Sequence, residues 1–222
     1  MDKIGSPVNQ TMYRGIIVSL LYLTASRPNI VFSVGLCARF QSNPIESHLK
    51  AAKRILRYLK GTKDLVLYYL SGDSLNLIGY TDADYEGYLV DKKNTSGMAH
   101  FLGSCLIAWD TRKQNSVALS TAEVEYVAAA SCCAKLLWIK QQLEDFGVLT
   151  KSVPLPCDNT SALSMAKNSV QHKKTKHIDV RHHFLRNNME KGLICMKFCS
   201  TEDQIADILT KALSREHLKE TK

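Results

Sequence analysis

The sequence predicts an α/β fold: a mixed sheet with helices packed on it, preceded by a small all-helical module. Three observations point there. Apolar residues of the 222-residue chain recur at helical spacing up to about residue 62, then shift to short alternating runs. From there the segments follow in the order β-β-β-β-α-β-α-α-β-α, hairpin-linked strands first and strand–helix alternation after. One long helical stretch separates the two halves of that order.

The helical module takes in residues 1–62. A mostly apolar helix over 13–26 stops at Arg27-Pro28, because proline restricts the residue before it. A second helix covers 30–40, and Asn43-Pro44 is a turn. A third covers 47–60. It puts Ala51, Ile55 and Tyr58 on one side and Lys50, Lys53, Arg54, Arg57 and Lys60 on the other, and it ends at Gly61-Thr62. In a chain without further partner domains, Leu20, Leu21 and Leu23 are expected to expose apolar surface.

The α/β part takes in 63–222. Strands are expected at 65–70 and 75–81 around the turn Ser71-Gly72-Asp73-Ser74, the second aligning Ile78, Tyr80 and Asp82 on one face. After a polar loop, strands 98–102 and 105–111 form a hairpin about Gly103-Ser104. The long helix covers 121–146, with Ser120 as its cap and Gly147 as its stop. Strand 153–157 carries Pro154 and Pro156, which remove backbone donors and predict a short or distorted strand. Helices 159–167 and 178–190, the latter ending at Gly192, and strand 193–198 follow. Thr201 with Gln204 three residues on has capping-box spacing and opens a terminal helix.

Hydrophobic content of 45% and charged content of 23% are those of an ordinary soluble protein. No apolar run reaches about 18 residues, so no membrane partner is expected. The first nine residues lack a signal-peptide core. Seven scattered cysteines without a C-x-x-C predict reduced thiols in an intracellular setting. The net charge of +8 points to a polyanionic partner, and the basic residues collect at 50–63 and 173–186.

Against that positive background four acids stand out. Asp82 and Asp158 each end a strand, and open α/β sheets form their sites beyond the carboxyl ends of strands. Glu125 shares a helical stripe with Ala129, Cys132, Leu136, Ile139 and Leu143, and a carboxylate on a buried stripe is costly unless paired or metal-bound. Glu123, nearly opposite on the wheel, is expected in solvent. Asp207 lies on the last helix, with Gln204 and Lys211. Singly, each acid reads as a turn, cap or surface residue. Jointly, four carboxylates around one point require a cation, and oxygen-only ligands suit magnesium or manganese. His177, His182 and His183 do not make a closed zinc set. Cys195 and Cys199 read as packing residues, and Trp109 and Trp138 as core.

"GYTDADYEG", "NTSGMAHFLG", "KQNSVALSTAEVEYVAA", "LPCDNTSAL", "TKHIDVRHHFLR" and "STEDQIADILTK" resemble the ribonuclease H region of copia-type retrotransposon Pol polyproteins. "YRGIIVSLLYLTASRPNIVFSVGLCARF" and "ESHLKAAKRILRYLKGT" resemble the reverse transcriptase thumb and connection before it. The resemblance implies a ribonuclease H-like five-stranded mixed sheet with flanking helices behind a thumb/connection remnant. It implies an endonuclease that cuts the RNA strand of RNA–DNA hybrids at Asp82, Glu125, Asp158 and Asp207, with two Mg2+ (or Mn2+) ions. Lys53, Arg57, Lys113, Asn159, Lys174, Lys176 and Arg181 are the expected nucleic-acid contacts. It also implies the palm, fingers and integrase of a parent polyprotein as partners, and the cytoplasm or a virus-like particle as the location. The polymerase motif Tyr-x-Asp-Asp is absent from the sequence, so no polymerisation is expected. Two alternatives remain: an inactive remnant that only binds nucleic acid, and a DNA transposase or integrase core, against which the glutamate on the long middle helix argues.

Overall fold

The computed structural model describes residues 5–85, 94–114, 118, 120–167 and 179–210, the side chains of 179–182 excepted. The chain divides into two compact units, Met1–Leu67 and Tyr68–Lys222.

In the first unit, α1 (Gln10–Leu23) begins where the Asn9 side chain accepts the Met12 N–H at 2.9 Å. A 3-10 turn at Pro28–Ile30 leads into α2 (Val31–Ala38), and α3 (Glu46–Gly61) closes the unit. Tyr13, Ile17, Leu20, Ile30, Val34 and Ile55 form its core. Leu20 therefore departs from the expectation of exposure. It lies on the same stripe as Tyr13 and Ile17, whereas Leu21 and Leu23 fall off that stripe and are exposed. The buried Tyr13 hydroxyl donates to the Cys37 carbonyl at 2.8 Å. On α3, Ala52 and Ile55 face inward and Lys53, Arg54, Arg57 and Lys60 face solvent.

The second unit opens with a correction. Residues 65–70 form no strand, and Val66, Tyr68, Tyr69 and Leu70 are exposed. Strand propensity counts only where a sheet edge receives the segment, and none does here. The sheet begins instead with β1 (Leu77–Asp84), β2 (Thr95–Leu102) and β3 (Cys105–Lys113), an antiparallel meander in which Asp82 stands opposite Gly97. α4 (Thr121–Asp145) is capped by Ser120, whose hydroxyl accepts the Glu123 N–H at 3.3 Å. It ends where the Val148 N–H donates back to Leu143 at 2.9 Å. α4 lies on β1, and Gly79 permits it: a Cβ there would come within 2.8 Å of the Leu136 methyls.

β4 (Val153–Cys157), α5 (Thr160–Lys167), α6 (Asp179–Glu190) and β5 (Ile194–Phe198) complete the layer. β4 and β5 pair in parallel, and β4 lies beside β1. The expected single five-stranded ladder is thus divided in two, three strands and two. The prolines explain the division. The Val153 N–H and the Cys157 carbonyl both bond toward β5, so residues 153, 155 and 157 face that strand. Pro154 and Pro156 then occupy the positions facing β1, where neither has an N–H to give.

Three further expectations change. The last segment is a short 3-10 turn, Ile205–Leu209, and not a helix opened by Thr201; residues 211–222 lie outside the described ones. Trp138 is 54% exposed, with the Lys135 ammonium 4.0 Å over its ring. Glu123, in the first turn of α4, is buried and not in solvent.

His100, 1% exposed, faces the Ala108 carbonyl through Nδ1 at 3.3 Å and the Cys132 thiol through Nε2 at 3.6 Å. Burial lowers its pKa from 6.5 to about 4. Its contribution is complete above the unfolded value and is lost as pH falls toward 4, because the unfolded chain takes up the proton first. The loss is about 3 kcal/mol. Urea midpoints measured from pH 7 to pH 4 are expected to fall more steeply in the native protein than in His100→Gln.

Candidate active site

The four acids reach the structure from four elements. Asp82 sits near the end of β1 and is 2% exposed, and the Thr210 hydroxyl donates to its Oδ2. The next residue along, Ala83, donates its N–H to Glu125 Oε1 at 3.1 Å. Glu125, 6% exposed, projects from the second turn of α4. Asp158 directly follows β4. The chain turns there because the Asn159 side chain caps α5, accepting the Ala162 N–H at 3.0 Å. Partly buried, Asp158 accepts the Thr201 hydroxyl at 3.0 Å. Asp207 rides on the 3-10 segment, which packs on β1 and β2.

Glu125, Asp158 and the Cys157 thiol offer ligand atoms that all lie within 4.8 Å of one another. Asp82 is tied to this pair through the Ala83 peptide. Asp207 enters the same electrostatic field: the Cys199 thiol is pushed up to about 11 by burial first, and then by Asp158, Asp203, Glu125 and Asp207. The donor chemistry fits a hard divalent cation. Two carboxylates so close, one of them buried, are costly without a positive charge between them. Burial pushes the Cys157 thiol up to about 12, which leaves the two carboxylates as the charged members of the set.

The expected nucleic-acid contacts fall on several elements. Lys53 and Arg57 are exposed on α3 in the first unit. Lys113 ends β3. The Asn159 oxygen is committed to capping α5. Arg181 lies on α6, and Lys174 and Lys176 fall outside the described residues. Asp110 is paired with Arg112.

Sequence reasoning missed the groups that hold the acids. Thr201 was assigned to a cap, which hid its bond to Asp158. Thr210 follows Asp207 by three residues in "IADILTK", one helical turn away, and that spacing was the available signal. Gln114 donates through Nε2 to the Ser96 hydroxyl at 2.8 Å and the Val124 carbonyl at 2.9 Å, joining the sheet to α4 beside Glu125.

An antiparallel meander, a long helix laid across it and two parallel strands with helices between them define a ribonuclease H-like α/β unit. No protein-family model matches the chain. It is 41% identical over 206 residues to the retrovirus-related Pol polyprotein from transposon RE1 of Arabidopsis thaliana, covering 92% of this chain and 14% of that protein. It is 38% identical over 204 residues to the corresponding polyprotein from transposon TNT 1-94 of Nicotiana tabacum, covering 91% and 15%. The chain is similar to the retrovirus-related Pol polyproteins of copia-like transposons, and spans about a seventh of their length. Among solved structures, it is similar in fold to a foamy viral protease-reverse transcriptase in complex with double-stranded DNA. That similarity has a TM-score of 0.55 at 14% identity, over 90% of this chain and 40% of that one.

Proposed function

We propose that the α/β unit is a metal-dependent endonuclease that hydrolyses the RNA strand of RNA–DNA hybrids during reverse transcription of a transposon. The observation that carries this reading is the Glu125–Asp158 pair within 4.8 Å, tied through the Ala83 N–H to the strand that bears Asp82. Asp82, Glu125, Asp158 and Asp207 would hold two Mg2+ (or Mn2+) ions. When bound, such ions activate water and stabilise the departing oxygen of a phosphodiester. The residues of the chain supply the rest. The Ala83 N–H and the Thr201 hydroxyl each fix one carboxylate, and basic side chains contact backbone phosphates. Duplex shape and 2′-hydroxyls would select the hybrid over DNA. The helical unit reads as a thumb/connection remnant whose basic α3 face grips duplex. Palm, fingers and integrase of a parent polyprotein would be its partners, in the cytoplasm or a virus-like particle. Among the described residues no helix is long and apolar enough to cross a membrane.

The test uses the full chain, a hybrid labelled on its RNA strand, and Mg2+. The RNA is expected to be cut, and Asp82→Asn is expected to stop the cutting. Equal cutting by Asp82→Asn refutes the assignment. Hybrid binding without calorimetric Mg2+ or Mn2+ binding identifies an inactive binding module instead.

A further inference from the structure

The geometry points to Thr210 as a positioning residue that holds the Asp82 carboxylate, delivered by a clasp made of residues 201–210. This inference rests on the nuclease reading above and deepens it.

Two acceptors lie within reach of the single Thr210 hydroxyl proton: Asp82 Oδ2 and, at 3.2 Å, the Asp207 carbonyl. The carboxylate is nearer and charged, so it takes the proton. The Asp207 carbonyl already receives the Thr210 N–H at 3.1 Å. Thr210 is fully buried, so bulk water does not compete for either group. The contact fixes one rotamer of a carboxylate that must face a cation, as partners behind metal ligands commonly do.

The sheet is shaped to admit this clasp. Gly97 stands opposite Asp82 in the β1–β2 register. A Cβ there would come within 2.8 Å of Leu209 Cβ and Thr210 Cγ2, and 3.0 Å of the Ala206 carbonyl. The segment thus lies against bare backbone at the rung that carries Asp82. From β3, the Thr111 hydroxyl donates to the Leu209 carbonyl at 2.8 Å and pins it there. At its other end the segment supplies Thr201 to Asp158, and between the two threonines it bears Asp207. One short stretch therefore brings one acid and orients two others, so seating it assembles the site as a unit.

Calorimetric Mn2+ titration of the full chain without nucleic acid tests this. Thr210→Val keeps the branched shape and removes the hydroxyl. It is expected to weaken Mn2+ binding roughly 10- to 100-fold, whereas Thr210→Ser stays near the native value. Gly97→Ala is expected to weaken binding as Thr210→Val does, because it lifts the segment. Native affinity in Thr210→Val, or equal loss in Thr210→Ser, overturns the inference. Asp82→Asn separates the two levels. If it abolishes Mn2+ binding while Thr210→Val keeps native affinity, only the clasp falls. If the native chain binds no Mn2+, the nuclease reading and the clasp fall together. Should Thr210→Val not fold, Thr201→Val at the exposed end reads the same clasp, with weakened Mn2+ binding expected and native binding contradicting it.

Discussion

Glu125→Gln is expected to lower hybrid cleavage by roughly 10³-fold and, in the absence of metal, to raise the melting temperature. The two effects share one cause. Glu125 and Asp158 are like charges within 4.8 Å, which repel by about 3 kcal/mol at an effective dielectric near 20. Glutamine is isosteric, and its amide oxygen can still accept the Ala83 N–H, so the helix keeps its anchor while the repulsion goes. The gain in melting temperature is about 6–12 °C if the whole repulsion is relieved, at about 2–4 °C per kcal/mol for a unit of this size. Cation-assisted stabilisation of several kcal/mol depends on that charge, which sets the size of the loss in cleavage. Millimolar Mn2+ should then reverse the stability order, because only the native site gains from binding. Melting curves with and without Mn2+, beside a cleavage assay, check both halves. Falling stability in metal-free Glu125→Gln would show that the acid is a structural anchor and not a charge awaiting a cation.

Much of this site was legible because hydrophobic periodicity fixes faces. The alternation over 75–81 put Asp82 in line with Ile78 and Tyr80, and the stripe from Glu125 through Leu136 to Ile139 was apolar except at its first member. Strand 153–157 was read to the residue, since the polar pairs Lys151-Ser152 and Asp158-Asn159 bound it on either side. What periodicity cannot see is what covers the opposite face. Glu123 is buried on a side of α4 the wheel left to solvent. Trp138 is exposed because it shares the outward stripe of α4 with Ala134, Lys135 and Gln141, while Leu136 and Ile139 turn inward. Residues 65–70 have the composition of a strand without an edge to join. Thr201 shows a competing demand: its hydroxyl could cap a helix or hold Asp158, and a contact across 43 positions prevailed over a local one. Gly97 and Gly79 look like weak points in strands when read locally. Each is required only because another element comes down on it.

That last point yields the second large effect. Leu136→Ala is expected to destabilise the α/β unit by about 3–5 kcal/mol, the upper part of the range for a buried leucine. Leu136 is fully buried against β1 at Gly79, so the side most able to relax into the cavity has no side chain with which to fill it. Gly79→Ala alone should cost about 1–3 kcal/mol, because its methyl would meet the Leu136 methyls at 2.8 Å. The two changes are complementary. The alanine methyl at 79 enters the space vacated at 136, so the double variant should lose less than the sum of the singles, by about 1 kcal/mol or more. Both tryptophans, Trp109 and Trp138, belong to the second unit, so fluorescence during urea unfolding reports on that unit. Strict additivity would mean that α4 shifts freely on β1 and that Gly79 does not set its height. The same helix carries Glu125 three turns earlier, bonded to the β1 backbone at Ala83. A helix lifted by Gly79→Ala should therefore lose cleavage as well as stability, and the double variant should recover part of both.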